Sequence, residues 1–177
     1  PSDIVDESNK QKLIISNYTV KEDWLSKLSD HANKYKIKLI FSCSEIDLLN
    51  IAERHSSESI IKIASCDATN LSLLFEASKR FRSIIISTGA ISLEECISIK
   101  KFLINNCRYQ GEINFLYCVS EYPTKIERVN LITIEMLRKY LQLGVGYSDH
   151  CKDINQCLAS LYYQPTFIEK HFMLKNT

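Results

Sequence analysis

Residues 60–89, IIKIASCDATNLSLLFEASKRFRSIIISTG, contain the clearest strand and helix patterns of the chain. Two short runs rich in isoleucine, Ile60–Ala64 and Ile84–Ser87, are typical of buried β-strands. The segment between them, Asn70–Arg80, has a helical pattern. Parallel strands need a crossover connection that covers the sheet. The order of strand, helix and strand therefore predicts a parallel sheet with helices on it.

The same alternation continues on both sides of this stretch. The other predicted strands are Leu39–Phe41, Ile113–Val119, Val145–Tyr147 and Phe167–Ile168. The other predicted helices are Val20–Tyr35, Glu45–Arg54, Leu93–Asn105, Leu131–Leu141 and Ile154–Tyr162. Capping boxes mark two of the helix starts, one formed by Thr19 with Glu22 and one by Ser92 with Glu95.

Two architectures have this order of elements, an open doubly wound sheet and a closed barrel. The chain has only four glycines and no GxGxxG turn, so the barrel is favoured. The predicted fold class is α/β, a TIM-type (β/α) barrel with about six of the usual eight strands. Residues 1–18 are interpreted as a flexible or linker segment and residues 19–177 as the partial barrel domain. Because six strands cannot close such a barrel, we expect either part of a longer chain or an opened sheet whose edges a partner covers.

Composition narrows the possible partners and the compartment. The chain has 22 basic and 21 acidic residues, so we expect neither nucleic acid nor a membrane surface as a partner. Its seven cysteines have no CxxC spacing, which argues against a disulfide framework or a structural zinc site. No apolar run approaches the roughly 20 residues that cross a bilayer. The predicted location is the cytoplasm.

Polar side chains follow the predicted strands, where the active-site residues of a (β/α) barrel lie. These strand ends are Ser65-Cys66-Asp67, Ser87-Thr88-Gly89, Ser120-Glu121-Tyr122-Pro123, Ser148-Asp149-His150 and Glu169-Lys170-His171. His150 and His171 follow the last two strands, so they could bind one divalent metal ion through neutral imidazoles. The alternative is that each is a hydrogen-bonded core histidine. Their equivalent positions favour metal binding.

Lys62 lies in the middle of a predicted strand, and strand alternation places it on the inward face. A buried ammonium group needs an anionic partner, because an unpaired charge is costly to bury. Two partners remain open: a carboxylate on a neighbouring strand, or a bound phosphate or carboxylate ligand. In the second case, the serines at positions 65, 87, 120 and 148 would supply hydroxyl donors around the same anion.

Five segments resemble, in order and in spacing, the strand-end motifs of the sialic acid synthase family: KIASCDATN (62–70), IIISTGAISLEE (84–95), CVSEYPTKIERVNL (118–131), VGYSDH (145–150) and FIEKHF (167–172). The resemblance implies a TIM barrel in which phosphoenolpyruvate and an open-chain N-acetylmannosamine-like sugar meet beside Mn²⁺ or Mg²⁺. It implies that His150 and His171 bind the metal, and that Asp67 and Tyr122 are catalytic residues facing the sugar. It also implies that phosphoenolpyruvate is held by Lys62, Ser65, Ser87, Ser120 and Ser148.

The chain departs from the family pattern at several positions. The family's first two strands have no counterpart, Tyr117 replaces a usual histidine, and Cys66 and Cys151 replace a usual glycine and threonine. The leading hypothesis is a nonulosonic acid synthase-like domain that condenses phosphoenolpyruvate with an N-acetylmannosamine-type sugar and releases phosphate. The alternative is a non-catalytic barrel fragment that acts as a binding or assembly module. The expected protein partner is a second copy of the chain or the remainder of a longer chain.

Overall fold

The computed structural model describes residues 22–173 of the 177-residue chain. The segment 1–18, the capping residue Thr19 and the predicted helix start at Val20 lie outside the described residues. The described residues divide into two compact units, 22–39 and 40–173. Within residues 22–173, no helix has both the length and the apolar character needed to cross a membrane.

The described part of the first unit contains helix α1, Glu22–Tyr35. The helix ends where Lys36 adopts a left-handed backbone conformation, with φ of 55°. The N–H of Ile37 then donates to the carbonyl oxygen of Ala32 at 2.9 Å. Such a reversed bond satisfies a carbonyl that the last helical turn leaves without a partner. The predicted end of this helix at Tyr35 is confirmed.

The second unit contains a sheet of six parallel strands that follow one another in sequence order. The strands are β1 Phe41–Ser42, β2 Ile60–Ile63, β3 Ser83–Ser87, β4 Glu112–Tyr117, β5 Gly144–Asp149 and β6 Ile168–Lys170. A doubly wound sheet would reverse its strand order at a switch point, and this sheet has no reversal. The predicted partial (β/α) barrel is therefore confirmed, with strand ends displaced by one or two residues.

Helices follow the strands as the sequence predicts. They are α2 Ile46–His55, α3 Leu71–Arg80, α4 Leu93–Lys101, α5 Ile132–Leu141 and α6 Asn155–Ser160. The predicted capping box of Ser92 and Glu95 begins α4. The predicted helix Leu93–Asn105 is formed in two parts, because α4 continues as a π-helical turn over Phe102–Asn106.

Strand alternation gives the sheet two faces with different roles. One face packs into the hydrophobic core beneath the helices, and its fully buried residues include Ile61, Ile63, Ile84, Ile86, Phe115 and Val145. Each such side chain stabilises the fold by about 1.5–3 kcal/mol. The other face is the concave side of the partial barrel. Lys62 on β2 and the aligned pair Ser148 and Glu169 on β5 and β6 lie there, so this face positions the candidate site.

Candidate active site

An ion pair crosses the concave face between the second strand and the last. The Nζ of Lys62 on β2 lies 2.8 Å from Oε1 of Glu169 on β6. Lys62 therefore points inward, and its anionic partner is a carboxylate. That carboxylate comes from the far end of the strand order rather than from a neighbouring strand. An ammonium group has three protons, so two remain for a bound anion.

Glu169 is the centre of a hydrogen-bond network that includes a predicted serine. The hydroxyl of Ser148 donates to the same Oε1 of Glu169 at 2.6 Å. Burial would raise the pKa of the Glu169 carboxyl, but the bonds from Lys62 and Ser148 outweigh burial and lower it. The carboxylate is therefore charged near neutral pH. Its negative charge directs any bound anion to the side of Lys62 that faces away from Glu169.

His150 is held in one tautomer by the backbone. Its Nδ1 lies 2.7 Å from the carbonyl oxygen of Val119, and a carbonyl can only accept, so Nδ1 bears the proton. Burial lowers the pKa of the imidazole, which favours the neutral ring. The Nε2 atom lies 3.0 Å from Ser148 Oγ. Because Nδ1 bears the proton, Nε2 carries a lone pair that can accept from the Ser148 hydroxyl or bind a metal ion.

His171, His150 and Tyr122 form a cluster of three rings at the mouth of the concave face. The two imidazole centroids are 5.4 Å apart. The Tyr122 ring stacks on His150 at 4.2 Å and meets His171 edge-on at 5.7 Å. Tyr122 and His171 are exposed, so a ligand can reach the cluster from solvent. The structure thus brings together three of the residues that the sequence singled out.

The other predicted site residues lie at the end of β3 or in the loops after β2 and β4. The hydroxyl oxygens of Ser65 and Ser120 are 3.4 Å apart. A Cβ at Gly89 would lie 2.4 Å from Ser120 Oγ, so glycine permits this close approach of two loops. Ser87 is buried at the end of β3, with 4% of its surface exposed. Among the described residues, the Asp67 carboxylate accepts a hydrogen bond only from the thiol of Cys66, at 3.5 Å, so it has no direct bond to the ring cluster.

A second ion pair, which the sequence pattern does not predict, lies behind the histidines. Asp149 is completely buried, and its Oδ2 lies 2.8 Å from Nζ of Lys170. Burial would raise the pKa of the Asp149 carboxyl, but hydrogen bonds from Lys170, Cys157 and Cys151 outweigh burial and lower it. Lys170 also donates to the carbonyl oxygens of Cys151 and Asp153. Because these residues precede or follow His150 and His171, the pair fixes the strand ends that present both imidazoles.

Strand alternation could have identified Glu169. The residue two positions before an inward histidine also points inward, and Ser148 and Glu169 bear this relation to His150 and His171. The need of Lys62 for an anion was recognised. Its pairing with β6 depends on the curvature of the sheet, which no local pattern reveals.

The two histidines could supply two of the ligands of a metal ion. No group of three or more histidine, cysteine or acidic side chains within the described residues is placed to hold a metal ion. His150 and His171 offer two imidazole nitrogens, while the nearby carboxylates of Glu169 and Asp149 are engaged by lysines. Mn²⁺ and Mg²⁺ retain several water or substrate oxygens in such sites. A metal ion held by this pair would therefore need further ligands, such as water or substrate oxygens.

A large cavity lies at the other end of the strands. It has a volume of about 920 Å³, and Ser59, Arg82 and Glu112 are among its lining residues. These residues precede or begin β2, β3 and β4, whereas the histidines follow β5 and β6. The candidate site is therefore identified by the chemistry of its side chains and not by the size of a cavity.

Known proteins resemble this chain in sequence and in fold. The model of the NeuB family matches residues 2–177. The chain is 36% identical over 147 residues to N,N'-diacetyllegionaminic acid synthase of Campylobacter jejuni, which covers 81% of this chain and 43% of that protein. It is 31% identical over 117 residues to N-acetylneuraminate-9-phosphate synthase of Drosophila melanogaster, covering 64% of this chain and 30% of that protein.

A solved structure agrees with these relatives. N-acetylneuraminic acid synthetase from Leptospira borgpetersenii, in complex with citrate, superposes with a TM-score of 0.80 at 28% identity, over 88% of this chain and 53% of that chain. The chain thus spans about half the length of the relatives that it matches, or less. Both the family model and the shared barrel agree with the resemblance that the strand-end motifs indicated, and this chain belongs to the NeuB family.

Proposed function

We propose that this chain forms a substrate-binding and metal-binding part of a nonulosonic acid synthase. The reaction joins phosphoenolpyruvate to an N-acetylated amino sugar of the N-acetylmannosamine type and releases phosphate. The observation that supports it is the network in which Lys62, Glu169, Ser148 and His150 meet on one concave face beside His171. The names of the relatives support a sialic, legionaminic or pseudaminic acid as the product class.

The proposed anion site surrounds Lys62. Its ammonium group has two protons beyond the one that it donates to Glu169. Charge-assisted bonds from such protons to phosphate or carboxylate oxygens are about twice as strong as neutral ones. The Ser65 and Ser120 hydroxyls lie 3.4 Å apart and could donate to the same anion. Glu169 keeps Lys62 directed inward in the absence of ligand.

The balanced reaction consumes one water molecule. C3 of phosphoenolpyruvate forms a bond to the aldehyde carbon of the open-chain sugar, and the aldehyde oxygen takes up a proton. Water adds at C2, and the bond between C2 and the phosphate oxygen then breaks. A divalent metal ion bound by His150 and His171 would polarise the aldehyde oxygen. Tyr122 stacks on His150 and so orients its ring, and Asp67 is the proposed proton-handling or sugar-binding carboxylate.

The test uses the full-length protein with phosphoenolpyruvate, Mn²⁺ and N-acetylmannosamine. We expect phosphate release that depends on the sugar and a product whose mass equals that of a nonulosonic acid. Lys62→Met should reduce kcat/KM at least tenfold, because it removes the charge that holds the anion. Lys139→Gln on the exposed surface of α5 is the matched control and should leave activity unchanged.

Two results would contradict the proposal. Absence of phosphate release together with absence of phosphoenolpyruvate binding in calorimetry would favour the non-catalytic binding or assembly module. Release at the same rate without sugar would indicate a phosphatase-like side reaction instead. The cytoplasmic location and the oligomeric partner remain predictions that this assay does not address.

A further inference from the structure

The cavity of about 920 Å³ is formed by three loops that precede β2, β3 and β4. Residues 58–60, 81–83 and 109–112 provide most of its lining. Ser83 begins β3 and Ser87 ends it, so the two lie four residues apart, or about 13 Å along the strand. The cavity is therefore about one strand length from the end of the sheet that carries the ring cluster.

Hydrogen bonds hold the three loops in place without a ligand. The N–H of Arg82 donates to the carbonyl oxygen of Ser59 at 2.9 Å, and the N–H of Glu112 donates to that of Arg82 at 2.8 Å. The buried hydroxyl of Tyr109 donates to the carbonyl oxygen of Phe81 at 3.1 Å. The cavity is therefore formed by the fold itself, as ligand pockets usually are, and its volume is within the range of such pockets.

A buried hydroxyl on the wall of this cavity lacks a partner. Ser83 is 8% exposed, and within residues 22–173 its side chain forms no hydrogen bond. It is in register with Ile60 on one side and Glu112 on the other, and both also line the cavity. Residues in register point to the same face of a sheet, so Ser83 points into the cavity. Because a buried hydroxyl without a hydrogen bond is unfavourable, a ligand oxygen that bonds to Ser83 would gain affinity.

Charged groups of both signs surround Ser83. The Arg82 guanidinium and the Glu112 carboxylate are exposed, and neither forms an ion pair or a side-chain hydrogen bond within residues 22–173. Glu58 is a second acidic residue of the lining. A guanidinium binds a carboxylate through two parallel hydrogen bonds, and a carboxylate accepts hydrogen bonds from hydroxyl groups. The two acidic residues disfavour a multiply charged anion, so the set fits a ligand with one carboxylate and several hydroxyl groups.

We propose that this cavity is a second ligand site, which binds a polyhydroxy carboxylate of the same chemical class as the nonulosonic acid product. The identity of the ligand rests on the proposed function. Three carbons from phosphoenolpyruvate and six from an N-acetylhexosamine give a nine-carbon acid with one carboxylate. In this site, Arg82 binds the carboxylate of the ligand, Ser83 bonds to one of its oxygens, and Glu112 accepts from its hydroxyl groups.

The experiment measures the binding of N-acetylneuraminate to the full-length protein by isothermal titration calorimetry. All measurements use the Lys62→Met variant without added metal, so that the proposed phosphoenolpyruvate site does not contribute. We expect Arg82→Gln to raise Kd at least tenfold, the usual effect of losing a charged hydrogen bond. Ser83→Ala should raise Kd about fivefold, as expected for one neutral hydrogen bond. Lys139→Gln on the exposed surface of α5 is the control and should leave Kd unchanged.

N-acetylmannosamine, which has hydroxyl groups but no carboxylate, should bind at least tenfold more weakly than N-acetylneuraminate. Three results would overturn the site. They are absence of N-acetylneuraminate binding to the Lys62→Met protein, a Kd that neither Arg82→Gln nor Ser83→Ala changes, and equal affinity for the two sugars. The calorimetry does not depend on turnover, so failure of the phosphate-release assay would leave this result intact and the two proposals can fail separately.

Discussion

Replacing Lys170 with methionine tests the ion pair that joins β5 to β6 behind the two histidines. The change leaves the carboxylate of Asp149, which is 0% exposed, without its cation. Removing one partner of a buried ion pair costs about 3–5 kcal/mol. Asp149 retains hydrogen bonds from Tyr147, Cys151 and Cys157, so we expect a smaller loss of about 2–3 kcal/mol. For a chain of this size, that loss lowers Tm by about 5–10 °C.

The matched comparison is Lys62→Met, which breaks the ion pair on the concave face. The two lysines have equal exposure, 23% of each side chain, but Glu169 is 35% exposed and keeps its bond from Ser148. Water can therefore solvate the Glu169 carboxylate when Lys62 is replaced, and the free energy of unfolding should fall by about 1 kcal/mol or less. Urea unfolding followed by circular dichroism measures both values. Equal losses in the two variants would refute the argument that burial of the carboxylate decides the cost.

Three further predictions concern the loops and the thiols. Gly89→Ala should lower the free energy of unfolding by about 1–3 kcal/mol in urea, because the added Cβ would lie 2.4 Å from Ser120 Oγ. Adding Ser120→Gly should restore part of that loss, and absence of rescue would contradict this contact. His150→Gln or His171→Gln should weaken Mn²⁺ binding at least tenfold in an EPR titration. His31→Gln, on the exposed side of α1, is the control and should leave the affinity unchanged. Retained affinity in both site variants would exclude the pair as ligands. Iodoacetamide at pH 8 should modify the exposed Cys66 in the native protein and leave Cys96 unmodified until urea is added. The reason is that burial raises the pKa of Cys96 to about 12. Modification of Cys96 before urea is added, detected by peptide mass spectrometry, would refute this order.

The sequence was sufficient for the fold because its signals are local. The isoleucine runs of β2 and β3 and the capping box of Ser92 with Glu95 each depend on neighbouring residues alone. The strand order then follows from the parallel crossover. The division of the predicted helix Leu93–Asn105 was missed, because a π-helical turn differs from an α-helix by one hydrogen-bond register and has no distinct apolar pattern.

The candidate site could be predicted in part. Strand-end position identified Ser148, His150 and His171, and strand alternation identified Lys62. The structure places these four residues on the concave face or at its mouth. The ion-pair partner of Lys62 depends on how far the sheet curves, which the sequence does not encode locally. The buried pair of Asp149 and Lys170 was missed for a related reason. Asp149 and Lys170 lie within the strand-end motifs and point away from the concave face. That they pair with each other follows only from the register of β5 and β6.

Crystals of the full-length protein soaked with phosphoenolpyruvate and Mn²⁺ would show whether both bind at the concave face. We expect an anomalous manganese peak within bonding distance of Nε2 of His150 and of an imidazole nitrogen of His171. We also expect phosphoenolpyruvate oxygens within hydrogen-bond distance of Nζ of Lys62, while Lys62 still contacts Glu169. Manganese bound elsewhere, or phosphoenolpyruvate density away from the concave face, would exclude the proposed site.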